Sequence, residues 1–119
     1  MMANYVYYHN PRCSKSRQGL AFLIDNDIEV DIIEYLKVPL KPDEIADLFE
    51  ALGFANAIDM VRIKEQEFAE SGLSKASSNS EIINAINAYP KLLERPILTN
   101  GKKASIGRPL ENIKRLVGL

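Results

Sequence analysis

The chain has almost no cysteine or histidine: 119 residues contain one of each, and tryptophan is missing altogether. A single thiol excludes an internal disulfide, and one Cys with one His falls short of the three or four protein ligands of an ordinary zinc site, so no metal is expected. Net charge is equally scarce. Fifteen Lys and Arg stand against 16 Asp and Glu, leaving −1 overall, which offers no general attraction to nucleic acid or to an anionic membrane surface. No run approaches the ~20 apolar residues of a transmembrane helix, and the opening MMANYVYY lacks a basic segment leading into an apolar one. These absences lead us to expect a monomeric protein of a reducing cytoplasm with neither membrane nor nucleic-acid partners.

What is present suits one domain with an ordinary core. Residues 4–8 are mostly aromatic and β-branched and stop at Asn10-Pro11, which predicts a short strand. Leu20, Ala21, Leu23 and Ile24 recur at helical spacing over 14–26, with Asn10 or a serine as the expected cap. Ile28, Val30 and Ile32 alternate as a second strand, giving a βαβ opening. Pro42, Asp43 and Glu44 begin a helix whose apolar stripe, Ile45, Leu48, Phe49 and Leu52, ends at Gly53. One or two short helices are expected over 55–71, and another over 81–89 behind Asn79-Ser80, ended by Pro90. Residues 97–99 and 104–106 read as a hairpin turning on Asn100-Gly101, and Pro109 as the first residue of a last helix. The expected architecture is α/β: a four-stranded mixed sheet flanked by helices, with a helical insertion at about 40–90.

The scarce thiol lies in Tyr8-His9-Asn10-Pro11-Arg12-Cys13-Ser14-Lys15-Ser16-Arg17. A lone intracellular Cys is most often a small buried hydrophobe. Here the neighbours are polar or basic, and Cys13 falls where a loop enters a helix, with backbone N–H groups and the helix dipole favouring an anion. Arg12, Lys15 and Arg17 act in the same direction through charge. Together these features stabilise a thiolate and draw an anionic substrate to it. His9 reads either as a pH-tuning partner or as a solvated strand-end residue. Ser16 reads either as a hydrogen-bond donor to the thiolate or as an ordinary first-turn serine.

The spacing weakens two familiar thiolate chemistries. A phosphatase loop needs Arg six residues after Cys, where this chain has Gly19, and a self-contained disulfide reductase needs C-x-x-C, where it has Ser16. A redox cycle must therefore borrow its second thiol from glutathione or another protein. Arg62, Arg95 and Arg108 each stand beside apolar or proline residues. Each is either a surface cation at an element boundary or a bidentate donor to an oxyanion.

His9-Asn10-Pro11-x-Cys13-x-x-Ser16-Arg17, Tyr35-Leu36-x-x-Pro39, Arg62, Arg95-Pro96-Ile97 and Arg108-Pro109 resemble, in order and spacing across the chain, the glutaredoxin-coupled arsenate reductases. The match is to a variant with the loop Cys13-Ser14-Lys15-Ser16-Arg17. The resemblance implies a thioredoxin-like fold interrupted by helices and an oxidoreductase whose Cys13 attacks arsenate to form an arsenic–cysteine adduct. It implies that Arg62, Arg95 and Arg108 hold the oxyanion, with His9, Ser16 and Arg17 stabilising the thiolate. It further implies a cis peptide before Pro96, glutathione as co-substrate without a bound cofactor, and glutaredoxin as partner. Two other readings stay open: a redox-sensing RNA polymerase adaptor of the same fold, whose usual C-x-x-C Ser16 removes, and a glutathione-linked thiol transferase without an arsenic role.

Overall fold

Tyr5–Tyr8 forms the first strand, β1, and Ser14–Asp25 the first helix, α1. The chain returns in Val30–Ile33, β2, which pairs parallel to β1 with Tyr5 opposite Val30 and Tyr8 opposite Ile33. Ile97–Thr99 (β3) lies antiparallel on the other side of β1, and Ala104–Ile106 (β4) antiparallel to β3, so the sheet order is β2-β1-β3-β4. This is the expected mixed four-stranded sheet. β1 sits inside it and β2 is an edge strand, on which Ile32 stays 48% exposed despite its alternation. Glu111–Leu116 is the last helix.

These elements form one compact unit, the segment through Tyr35 together with Arg95–Leu119; Leu36–Glu94 forms the other. A computed structural model describes residues 4–119. In the first unit Tyr7, Leu23, Leu98 and Ile113 are wholly buried, with Leu20, Phe22, Ile28 and Leu110 packed around them. Burying each such side chain stabilises by about 1.5–3 kcal/mol.

The second unit is helical. Pro42–Leu52 (α2) starts with Pro42, Asp43 and Glu44 in its first turn; the Lys41 N–H donates to Glu44 Oε1 at 3.0 Å, and Gly53 closes the helix at φ +74°, a left-handed cap that glycine adopts without strain. A 3₁₀ turn at Ala57–Met60, the helices α3 (Gln66–Glu70) and α4 (Asn79–Ala88), and a 3₁₀ turn at Pro90–Leu92 follow. Ile45 and Leu48 of α2 and Ile82 and Ile86 of α4 are buried. Asn79 Oδ1 accepts from the Ala57 N–H at 2.9 Å, and Asn87 Nδ2 donates to the Leu40 carbonyl at 2.7 Å.

The structure departs from the sequence reading at four termini. The cap of α1 is Cys13, with no side-chain hydrogen bond; Asn10 uses its side-chain oxygen on the Arg12 N–H instead. α4 is capped one residue earlier than expected, by Ser78, whose Oγ accepts from the Glu81 N–H at 3.1 Å while Glu81 Oε1 accepts from the Ser78 N–H at 3.0 Å. The hairpin turns on Gly101-Lys102 and not on Asn100-Gly101. The Asn100 N–H still pairs with the Lys103 carbonyl, and Asn100 Oδ1 accepts from the Lys102 and Lys103 N–H groups, so Asn100 flanks the turn. Pro109 precedes the last helix (α5, Glu111–Leu116) without opening it, and the Arg108-Pro109 bond is cis. Among the described residues no helix is long and apolar enough to cross a membrane.

Candidate active site

After β1 the His9 N–H still bonds to the Ile33 carbonyl of β2 at 2.9 Å, so the chain leaves the sheet from a fixed point. A turn over Pro11-Arg12 follows, closed by the Cys13 N–H donating to the Asn10 carbonyl at 3.0 Å and the Arg12 N–H donating to Asn10 Oδ1 at 3.0 Å. Cys13 takes an extended conformation (φ −92°, ψ 124°), and its carbonyl accepts from the Arg17 N–H at 3.0 Å as α1 begins. The sulfur therefore faces the first turn of α1, where backbone N–H groups have no partner within the helix.

Cys13 is a free cysteine and only 8% exposed. Polar groups cover it: Arg108 donates from NH2 to Sγ at 3.1 Å. Burial pushes the thiol pKa up. The Ser16 amide, the Arg108 guanidinium, the Arg95 guanidinium and the Lys15 amide, in falling order, pull it down and prevail, so that it drops from 9.0 to about 7. The thiol therefore ionises far more readily than an ordinary cysteine, beside guanidinium groups of the kind that pair with oxyanions.

The thiolate is stabilised by a different route from the one expected of His9, Ser16 and Arg17. Ser16, wholly buried, reaches the sulfur through its backbone N–H; its hydroxyl accepts from the Asn10 N–H at 3.0 Å and shares a hydrogen with His9 Nδ1 at 2.7 Å. His9 is held neutral at pH 7, because burial lowers its pKa; Glu34 opposes that shift and Arg17 adds to it. It thus orients Ser16 without supplying a positive charge. Arg17 donates from NH1 to the Pro11 carbonyl at 2.9 Å and braces the loop from outside.

Of the arginines, Arg95 and Arg108 meet at Cys13, one from two residues before β3 and the other from two residues after β4. The Arg95-Pro96 peptide is cis, as the sequence reading expected. Gly107 lets this corner close: a Cβ there would lie 2.5 Å from Ile113 Cδ1 and 2.7 Å from Pro96 Cγ. Asn112 Nδ2 donates to the Ile106 carbonyl at 3.0 Å and fixes the strand end that leads to Arg108. Arg62 belongs to the helical unit, where Glu65 takes its Nε at 3.0 Å and Glu94 its NH1 at 3.6 Å. The sequence reading expected backbone N–H groups at the start of α1 to favour the thiolate, and the structure identifies them as those of Ser16 and Lys15. Among the described residues no group of three or more His, Cys, Asp or Glu could hold a metal ion.

Residues 8–116 match the ArsC family model. The chain is 42% identical over 117 residues to an arsenate reductase of Neisseria meningitidis serogroup A, covering 98% of this chain and 100% of that one. It is 36% identical over 113 residues to the arsenate reductase of Haemophilus influenzae, covering 94% and 97%. The solved arsenate reductase of Vibrio cholerae superposes with a TM-score of 0.90 at 35% identity, over 97% of this chain and 98% of that one. With a thioredoxin-like mixed sheet and a family match over almost its whole length, the chain belongs to the ArsC family.

Proposed function

We propose that this protein reduces arsenate to arsenite, with Cys13 as nucleophile and glutathione and glutaredoxin as the source of electrons. The observation that carries the reading is the sulfur of Cys13 lying 3.1 Å from the Arg108 guanidinium, with its pKa lowered to about 7. A thiolate between cations both attracts an anion and attacks it.

The Cys13 thiolate attacks arsenic(V), forming an S–As bond while one arsenic oxygen leaves, after proton uptake, as water. A glutathione thiolate then attacks the Cys13 sulfur. The S–As electron pair goes to arsenic, which departs as arsenite, and a Cys13–glutathione disulfide remains. A second glutathione, delivered through glutaredoxin, reduces that disulfide and restores the thiol. Arsenate and two thiols thereby become arsenite, one disulfide and water. The second thiol has to come from outside, since this chain has one cysteine.

Arg95 and Arg108 hold the oxyanion beside the sulfur and absorb charge as it develops.

Arsenite formation from arsenate, glutathione and glutaredoxin tests the reading. Wild type should turn over and Cys13→Ser should not; equal background rates in both would overturn it. Reduction of a glutathione mixed disulfide with none of arsenate would reassign the protein as a thiol transferase.

A further inference from the structure

β1 grips Ser16 from two sides. The Ser16 hydroxyl meets His9 Nδ1 at 2.7 Å, and the Ser16 carbonyl accepts the Tyr7 hydroxyl at 2.6 Å. Tyr7 and Ser16 are both wholly buried. Tyr7 belongs to the core with Leu23, Leu98 and Ile113, where phenylalanine would fill the same space; the hydroxyl must be accounted for by its bond. Space for that hydroxyl comes from Gly19, one turn along α1. A Cβ on Gly19 would collide with it. A tyrosine at 7 and no side chain at 19 are thus two halves of one arrangement.

That arrangement matters at the sulfur, since the Ser16 amide is the largest of the groups that pull the Cys13 pKa down. A small rotation of the first turn of α1 would turn the N–H away, because hydrogen bonds weaken steeply with angle. We propose that Tyr7, admitted by the missing side chain of Gly19, is a positioning residue for the Cys13 thiolate: its hydroxyl clamps the Ser16 backbone so that the Ser16 N–H stays aimed at the sulfur. Tyr7 stays protonated to do this. Burial raises its pKa, the Ser16 bond opposes that rise, and the negative charge of Cys13 raises it further, so phenol and thiolate sense one another electrostatically. The inference deepens the reading of Cys13 as the reacting thiolate and rests on it.

The test is the rate of alkylation by iodoacetamide against pH, in wild type, Tyr7→Phe, Gly19→Ala and the double variant. Tyr7→Phe should move the midpoint up, so that the rate at pH 6 falls roughly threefold while the plateau at high pH is unchanged. Gly19→Ala should act in the same direction by displacing the hydroxyl. The double variant should lose no more than Tyr7→Phe alone, since the hydroxyl is already gone. An unmoved midpoint in the single variants, whatever their thermal stability, overturns the proposal, as does an additive loss in the double. The readout needs no arsenate. A moved midpoint in a protein that fails to reduce arsenate supports the clamp and sinks the functional reading; an unmoved midpoint in an active reductase does the reverse.

Discussion

Arg108 NH2 lies 3.1 Å from the sulfur of Cys13, and the two residues are 95 positions apart in the chain. The contact joins the start of α1 to the loop beyond β4, and it gives one guanidinium two tasks. In the resting protein it favours the thiolate; in the reaction we propose it faces an oxyanion bound at the same sulfur.

Both tasks should fail together in Arg108→Ala. Loss of a hydrogen bond to a charged group, about 1.5–3 kcal/mol, predicts a roughly 10- to 100-fold fall in kcat/KM for arsenate, with slower alkylation of Cys13 at pH 6. Arg108→Lys should recover part of the alkylation rate but little of the arsenate affinity, since an ammonium lacks the fork of parallel donors. Full recovery of both by Lys would show that charge alone suffices.

Ser16 is the joint between His9, Asn10 and the sulfur. In Ser16→Ala the Asn10 N–H, 9% exposed as part of its residue, loses its acceptor, at a cost of about 1–3 kcal/mol. Thermal unfolding should fall by several degrees, measured by circular dichroism; an unchanged midpoint would mean that the loop closes without this bond.

Gly107→Ala tests the corner that carries Arg108. A methyl there must displace Ile113 and Pro96, and overpacking of this kind costs about 1–3 kcal/mol. Reactivity at the sulfur should fall with stability, because Arg108 is the next residue. Full retention of both would mean that the corner yields freely.

Ionisation of Cys13 also predicts how stability varies with pH. Its pKa is about 7 in the folded chain, below the ordinary 9.0. A lowered pKa contributes stability that is fully present above the unfolded value and is lost as pH falls through the folded one. The difference in unfolding free energy between wild type and Cys13→Ala should therefore grow from pH 6 to pH 9.5. Denaturant titrations across that window would contradict this if the gap stayed flat or narrowed.

Much of this site is legible in the sequence where local chemistry decides it. Cys13 could be placed at a helix start because Asn10-Pro11 stops a strand and Leu20, Leu23 and Ile24 begin a helical stripe. Pro42 and Gly53 marked the ends of α2 for equally local reasons. What stayed hidden depends on partners distant in sequence or on competition between caps. Nothing near Arg108 reveals that it bonds to residue 13. The role of Ser16 divides between an amide and a hydroxyl with different partners, which spacing cannot separate. Asn100 was misplaced in its turn because its side chain, more than its tolerance of left-handed φ, sets the geometry. His9, read as either a pH-tuning partner or a solvated strand-end residue, is buried, and that burial lowers its pKa against the opposing pull of Glu34.

The most direct measurement is the ultraviolet absorbance of the Cys13 thiolate titrated against pH, with Cys13→Ser as the blank. Ionisation through a midpoint of about 7 is the predicted result. A midpoint at or above the ordinary 9.0 would contradict the account, leaving the sulfur a protonated, structural thiol.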